Sequence, residues 1–96
     1  MSDVNVILKV QIEKTIEILQ LALQVSSEQA VAEYLGKYKH ALALISAGGV
    51  NSEALIKALR ALLGCARGYM ETSSNYDQKF LDEMGLTEKL VKDLLG

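Results

Sequence analysis

The sequence predicts an all-α domain: one compact bundle of three longer helices, with one or two short helices near the C-terminal end. Three observations carry this. Apolar residues recur at steps of three and four along most of the 96-residue chain. There is no Pro to interrupt a helix. Leu, Ala, Glu and Lys, all good helix formers, are abundant. Half of the residues are apolar, which opposes disorder, and the length suits a single domain over residues 1–96. Aromatic residues make up only 5%, with no Trp, so the core must be built mainly from Leu, Ile, Val and Ala.

The first helix is predicted from about Asp3 to Val25. Val4, Leu8, Ile12, Ile16, Leu19 and Leu23 form its apolar stripe. Ile7, Val10, Ile18, Leu21 and Val25 widen that stripe beyond half the circumference, more than one neighbouring helix covers. The excess predicts either packing between two helices or a subunit interface. Gln11 and Thr15 fall inside the arc. They either lie near its rim, with Thr15 bonding a carbonyl of the preceding turn, or form a buried polar pair that fixes register across an interface. We place Ile7, Gln11, Thr15 and Ile18 at a homo-oligomer interface, most simply that of a dimer. An alternation of Val4, Val6, Leu8, Val10 and Ile12 with polar residues also fits a strand, but the chain offers no second strand to pair with it.

Ser26 followed by Gln29 resembles a capping box and predicts the start of a second helix that runs to about Ser46 or Ala47. Val31, Leu35, Tyr38, Leu42 and Ile45 form its core stripe. Gly48-Gly49 is expected to end it, and the short link to Asn51 or Ser52 predicts a hairpin with the third helix.

The third helix, Ala54 to Met70, is expected to be the inner helix. Its large face holds Leu55, Leu59, Leu62, Ala66 and Met70. Ala54, Ala58, Ala61, Cys65 and Gly68 form a stripe of small side chains, and Gly64 and Gly68 are spaced as a Gly-xxx-Gly pair. These six small residues are expected to admit a close helix neighbour, since a glycine inside a helix costs about 1 kcal/mol relative to Ala and needs an offset. Beyond a polar cluster at residues 72–75, Ser74 with Asp77 resembles a cap. A short fourth helix is expected to carry Tyr76, Phe80, Leu81 and Met84 and to end at Gly85. Thr87 is then the expected N-cap of a last short helix, with Leu86 stapled onto Val91.

Candidate chemistry is sparse. His40 is the only histidine and falls on a polar face with Glu33 and Lys37, without a nucleophile in register. Cys65 lies deep within its helix and is expected to act as a small apolar residue. The single Cys excludes an internal disulfide and a Cys-based zinc site. No cofactor or metal is expected, and no catalytic residue is assigned. Arg67, Tyr69, Glu71, Tyr76 and Asp77 form the densest polar and aromatic cluster and are the expected ligand or partner surface. Acidic residues gather late in the chain, at Asp77, Asp82, Glu83, Glu88 and Asp93, as a solvated face or a phosphate-like surface for a basic partner.

A net charge of −2 opposes nucleic acid and anionic membranes as partners. The Leu44–Leu59 run only loosely fits a helix-turn-helix, because its second helix is mainly apolar. No apolar run reaches the length of a membrane span, and the first residues do not resemble a signal peptide. The expected protein is cytoplasmic and non-enzymatic, and it acts through helix-mediated association with itself or another protein. The alternatives are a small-molecule binder with its pocket near the end of the third helix, and an immunity or antitoxin-like partner of another protein.

Overall fold

The computed structural model describes residues 3–26, 28–47, 53–72 and 79–95. All of its regular elements are helices: α1 (Asp3–Ser26), α2 (Gln29–Ser46), α3 (Glu53–Leu62), α4 (Cys65–Thr72) and α5 (Lys79–Leu95). The all-α expectation holds, and the first residues described are helical rather than extended. At about 1.5 Å per residue, the 24 residues of α1 span roughly 36 Å. The long dimension of the molecule is 39 Å, so α1 runs its whole length.

The core side of α1 is formed by Leu8, Ile12, Thr15, Ile16 and Leu19, all buried. Helices α2 and α5 cover that side, and α2 also packs on α3. Val31, Leu35, Tyr38 and Ala41 are the buried residues of α2, with Leu42 and Ile45 partly covered. Phe80, Leu81, Met84, Thr87 and Val91 are those of α5.

The contact between α1 and α5 is keyed by polar groups. The Thr15 and Thr87 hydroxyls, both fully buried, lie 3.0 Å apart. Thr15 Oγ1 is 2.8 Å from the Gln11 carbonyl, and Thr87 Oγ1 is 2.9 Å from the Glu83 carbonyl. Thr15 Oγ1 is also 3.4 Å from the Glu83 carbonyl, so two hydroxyl protons serve four oxygen–oxygen contacts. One helical turn away, Gln11 Nε2 donates to Glu83 Oε1 at 2.8 Å and to the Glu83 carbonyl at 3.1 Å. Gln11 meets Glu83 and Thr15 meets Thr87, so the two helices run parallel.

This corrects the placement of Gln11 and Thr15 at a subunit interface. The pair does fix register, but between two helices of one chain, because Glu83 and Thr87 supply its partners. Thr15 also makes the bond to the preceding turn that its position suggested.

Three helix boundaries differ from expectation. Ser26 still belongs to α1, and the residue before α2 is Glu28, in extended conformation and with no side-chain cap bond. The expected third helix is two, α3 and α4, separated at Leu63 and Gly64. Helix α5 runs unbroken through Gly85 and Thr87. Thr87 turns its hydroxyl back onto the Glu83 carbonyl instead of capping a new helix, and Leu86 is exposed instead of stapled. The Gly48-Gly49 ending, the Asn51 or Ser52 cap and the Ser74 cap lie outside the described residues.

The glycines of α2 and α5 yield a stability test. Gly36 and Gly85 sit on exposed helix faces, and an added Cβ would meet nothing within 4 Å. Gly36→Ala and Gly85→Ala should each raise stability by about 0.5–1 kcal/mol, or roughly 2–8 °C in Tm. Gly64→Ala should lower it, because Gly64 has φ of +85°. Thermal melts of the three variants check both signs. A second test concerns the threonines. In a double-mutant cycle with Thr15→Val and Thr87→Val, the coupling energy should be about 1 kcal/mol, since either single change removes the hydroxyl–hydroxyl contact while the remaining hydroxyl keeps its own carbonyl. Additive losses would mean the two hydroxyls do not act as a pair.

Candidate functional site

The polar groups of greatest interest meet where α2, α4 and α5 converge, and the break at Gly64 makes that meeting possible. Leu63 N–H closes onto the Arg60 carbonyl at 3.1 Å, tightening the last turn of α3. Gly64 then takes the left-handed conformation that a residue with a Cβ resists. Its carbonyl accepts from Gly68 N–H at 2.8 Å, which starts α4. One glycine thus ends one helix and begins the next. A fresh helix start leaves N–H groups without intrahelical partners. Glu88 of α5 supplies one partner, as its Oε2 accepts from the Ala66 N–H at 3.0 Å. The carboxylate also lies favourably at the positive end of α4.

The buried face continues across the break as Leu55, Ala58, Leu59, Leu62, Cys65 and Tyr69, at steps of three and four; Ala66 is only partly covered and Met70, expected on the large face, is exposed. Tyr69 stacks edge-on against Phe80, with ring centroids 4.9 Å apart and planes at 82°. Its hydroxyl donates to Glu28 Oε1 at 3.1 Å, tying α4 to the start of α2.

Of the expected ligand surface, Arg67 and Glu71 are exposed and form an ion pair at 3.5 Å, four residues apart on α4. Tyr69 does not join them: it lies in the core, four residues after buried Cys65 and seven after buried Leu62. Tyr76 and Asp77 lie outside the described residues.

The stripe of small residues is also divided. Ala58 and Cys65 are buried, but Ala54 and Ala61 are exposed, and nothing lies within 4 Å of where a Cβ on Gly64 would stand. Gly64 serves the turn, not a close helix approach. Gly68 does admit a neighbour: a Cβ there would come within 3.1 Å of the Tyr34 hydroxyl of α2. Lys37 Nζ stands 6.0 Å from the Tyr34 ring centroid, at the outer limit of a cation–π contact.

Two buried titratable groups lie nearby. Burial pushes the Cys65 thiol up to about 11; Lys37 opposes that shift and Glu88 adds to it. Its Sγ donates to the Ala61 carbonyl at 3.4 Å. The thiol stays protonated at neutral pH, which makes it a poor nucleophile. Tyr38 is the other, and it is fully buried. Burial raises the Tyr38 phenol far above its ordinary range, and the negative charges of Cys65 and Glu88 would raise it further. The Thr87 hydroxyl partly opposes the shift, yet among the described residues no group reaches hydrogen-bond distance of the Tyr38 hydroxyl. Neither group can trade protons near pH 7.

His40 is exposed on α2. Among the described residues no three His, Cys, Asp or Glu side chains gather where they could hold a metal ion. No helix of the described residues is long and apolar enough to cross a membrane. Of the late carboxylates, Glu83 is bound by Gln11 and Glu88 by Ala66, whereas Asp82 and Asp93 are exposed.

The largest unexplained surface is on α1. Val6, Ile7, Val10, Leu21 and Val25 are between 54% and 88% exposed, all on the side away from α2 and α5. Ile18 lies at the edge of this face, half-buried. Of the four residues expected at an interface, Ile7 belongs to this outer face and Ile18 borders it, whereas Gln11 and Thr15 face α5. Val10, Leu21 and Val25 were visible in sequence as excess apolar arc, and Val6 only in the strand-like alternation.

Residues 4–95 match the family described as YeeD uncharacterised protein, and the chain belongs to that family. Comparison with curated proteins and with solved structures finds no match.

The Cys65 thiol supplies a pH test. Its folded value lies above its ordinary value of 9.0, so ionisation favours the unfolded chain. Its contribution is intact below about pH 9 and is lost as pH rises toward 11. Urea denaturation of wild type and Cys65→Ala across pH 7–11 should show wild type losing stability faster than the variant above pH 9. Parallel curves would mean the thiol titrates normally in the fold.

Proposed function

We propose that this YeeD-family chain is a small, soluble, cytoplasmic, non-enzymatic association module that pairs with a second copy of itself through the outer face of α1. The observation that carries this reading is the row of exposed apolar side chains from Val6 to Val25. Scattered surface apolar residues are ordinary, but a row of five along one helix is a patch of the kind that marks interaction surfaces. The core side of the same helix is already filled, so these residues are surplus to the monomer's own packing. Fully burying such a side chain contributes about 1.5–3 kcal/mol, and several together can offset the cost of association.

The electrostatics support a protein partner over a nucleic acid: net charge is −2, and the outer face of α1 carries both Lys14 and Glu17. A ligand site at the end of α4 has less support, since Tyr69 is committed to Glu28 and Phe80. The acidic surface needed for a phosphate-mimicking role is reduced by the internal bonds of Glu83 and Glu88. Cytoplasmic residence fits a chain whose one thiol is buried and unpaired.

Light scattering coupled to size exclusion, across a wide concentration range, tests the reading. Wild type should show twice the monomer mass, and Val10→Asp/Leu21→Asp should show the monomer mass with unchanged helical circular dichroism. A wild type that stays monomeric at every concentration, or a variant that still dimerises, would overturn it.

A further inference from the structure

The outer face of α1 has a symmetry that specifies how two copies would meet. Its exposed residues Val6, Ile7, Val10, Lys14, Glu17, Leu21, Gln24 and Val25 share one side of the helix at about 100° per residue. Their positions are symmetric about one midpoint: Val6 mirrors Val25, Val10 mirrors Leu21 and Lys14 mirrors Glu17, whereas Ile7 is mirrored by the polar Gln24. The midpoint lies between Thr15 and Ile16.

Resting on the association reading above, we infer that two copies pair antiparallel along α1, with a two-fold axis at that midpoint. A closed two-fold contact is self-complementary by construction: if one residue meets a second, the second meets the first. An antiparallel pairing centred there sets Lys14 of each copy against Glu17 of the other. Val10 meets Leu21 of the partner subunit, and Val6 meets Val25 of the partner subunit. Two charge pairs then form at the centre and two apolar clusters flank them, along a shared length of about 30 Å.

The charges decide between this arrangement and its rivals. A parallel pairing in register would set Lys14 against Lys14 and Glu17 against Glu17, both repulsive. An antiparallel pairing displaced by one turn would bury a charge against an apolar side chain, unpaired and desolvated. The centred antiparallel register pairs both charges with opposite charges and Val6 and Val10 with apolar partners, and sets Ile7 beside the aliphatic stem of Gln24. Among the described residues neither Lys14 nor Glu17 has an ion-pair partner within its own chain, so both remain available. This is the use of charged positions by which helix pairs choose orientation and register.

The experiment uses the full chain, with dimer dissociation measured by sedimentation equilibrium. Lys14→Glu turns both central contacts into carboxylate pairs, and Glu17→Lys turns both into ammonium pairs. Each single variant should dimerise about tenfold or more weakly than wild type. An equimolar mixture of the two should form a heterodimer at near wild-type strength, because its central contacts are again opposite in sign. The double variant Lys14→Glu/Glu17→Lys should also recover. Both positions are exposed, so circular dichroism should show folded helices in every case.

Recovery in the mixture supports the centred antiparallel register. Equal dimerisation of the single variants and wild type overturns the register, as does loss without recovery in the mixture. If Val10→Asp/Leu21→Asp abolishes the dimer while the charge reversals do nothing, the face is right and the register wrong. If wild type is a monomer throughout, both the association reading and the register fall.

Discussion

The contact between Thr15 and Thr87 sets the geometry on which the rest of the molecule depends. Two fully buried hydroxyls must find partners, since a stranded polar group costs about 1–3 kcal/mol. They find each other and two backbone carbonyls in only one rotation of α1 against α5. Gln11 and Glu83 repeat the constraint one turn away. Apolar surfaces alone tolerate sliding and rotation, because the hydrophobic effect has no direction. The polar contacts remove that freedom. They also decide which part of the wide apolar arc on α1 faces inward and which is left outside.

Much of the architecture was legible because helical periodicity is strong here. The bounds of α1 and the core face of α2 follow from apolar residues at steps of three and four. What was hidden concerns partners far apart in sequence. Gln11 and Thr15 looked like a polar intrusion in an apolar face, and only α5 shows what satisfies them. Glu88 looked like one acid in a solvated row, yet it completes the start of α4. Tyr69 seemed part of a polar cluster with Arg67 and Glu71. Its spacing from Leu62 and Cys65 puts it on the buried face instead, where it meets Phe80 and Glu28.

Glycine proved the least readable residue. Gly64, Gly68 and Gly85 all lie in stretches of helical pattern and take three different roles. Gly64 forms a left-handed junction, Gly68 makes room for Tyr34, and Gly85 lies exposed in an unbroken helix. Sequence spacing alone treated the first two as one motif and the third as a terminator. Surrounding residues explain the outcome at Gly85: Phe80, Leu81, Met84, Thr87 and Val91 keep one continuous buried face across it. At Gly64 the buried face also continues, from Leu62 to Cys65 and Tyr69, so the break shows only in the left-handed backbone of Gly64 itself.

The parallel pairing of the first and last helices has a consequence during synthesis. Helix α1 is made before the helix that satisfies Gln11 and Thr15, which follows about seventy residues later. At roughly 5–20 residues per second, several seconds pass between the two events. Throughout that interval α1 carries one apolar flank awaiting α5 and another facing solvent. The nascent chain is thus stickier than the finished one. The seventeen residues of α5 convert it from a partly open hairpin into a closed bundle. Truncation within α5 would leave a chain with two unsatisfied sides, one of which the intact protein never shows.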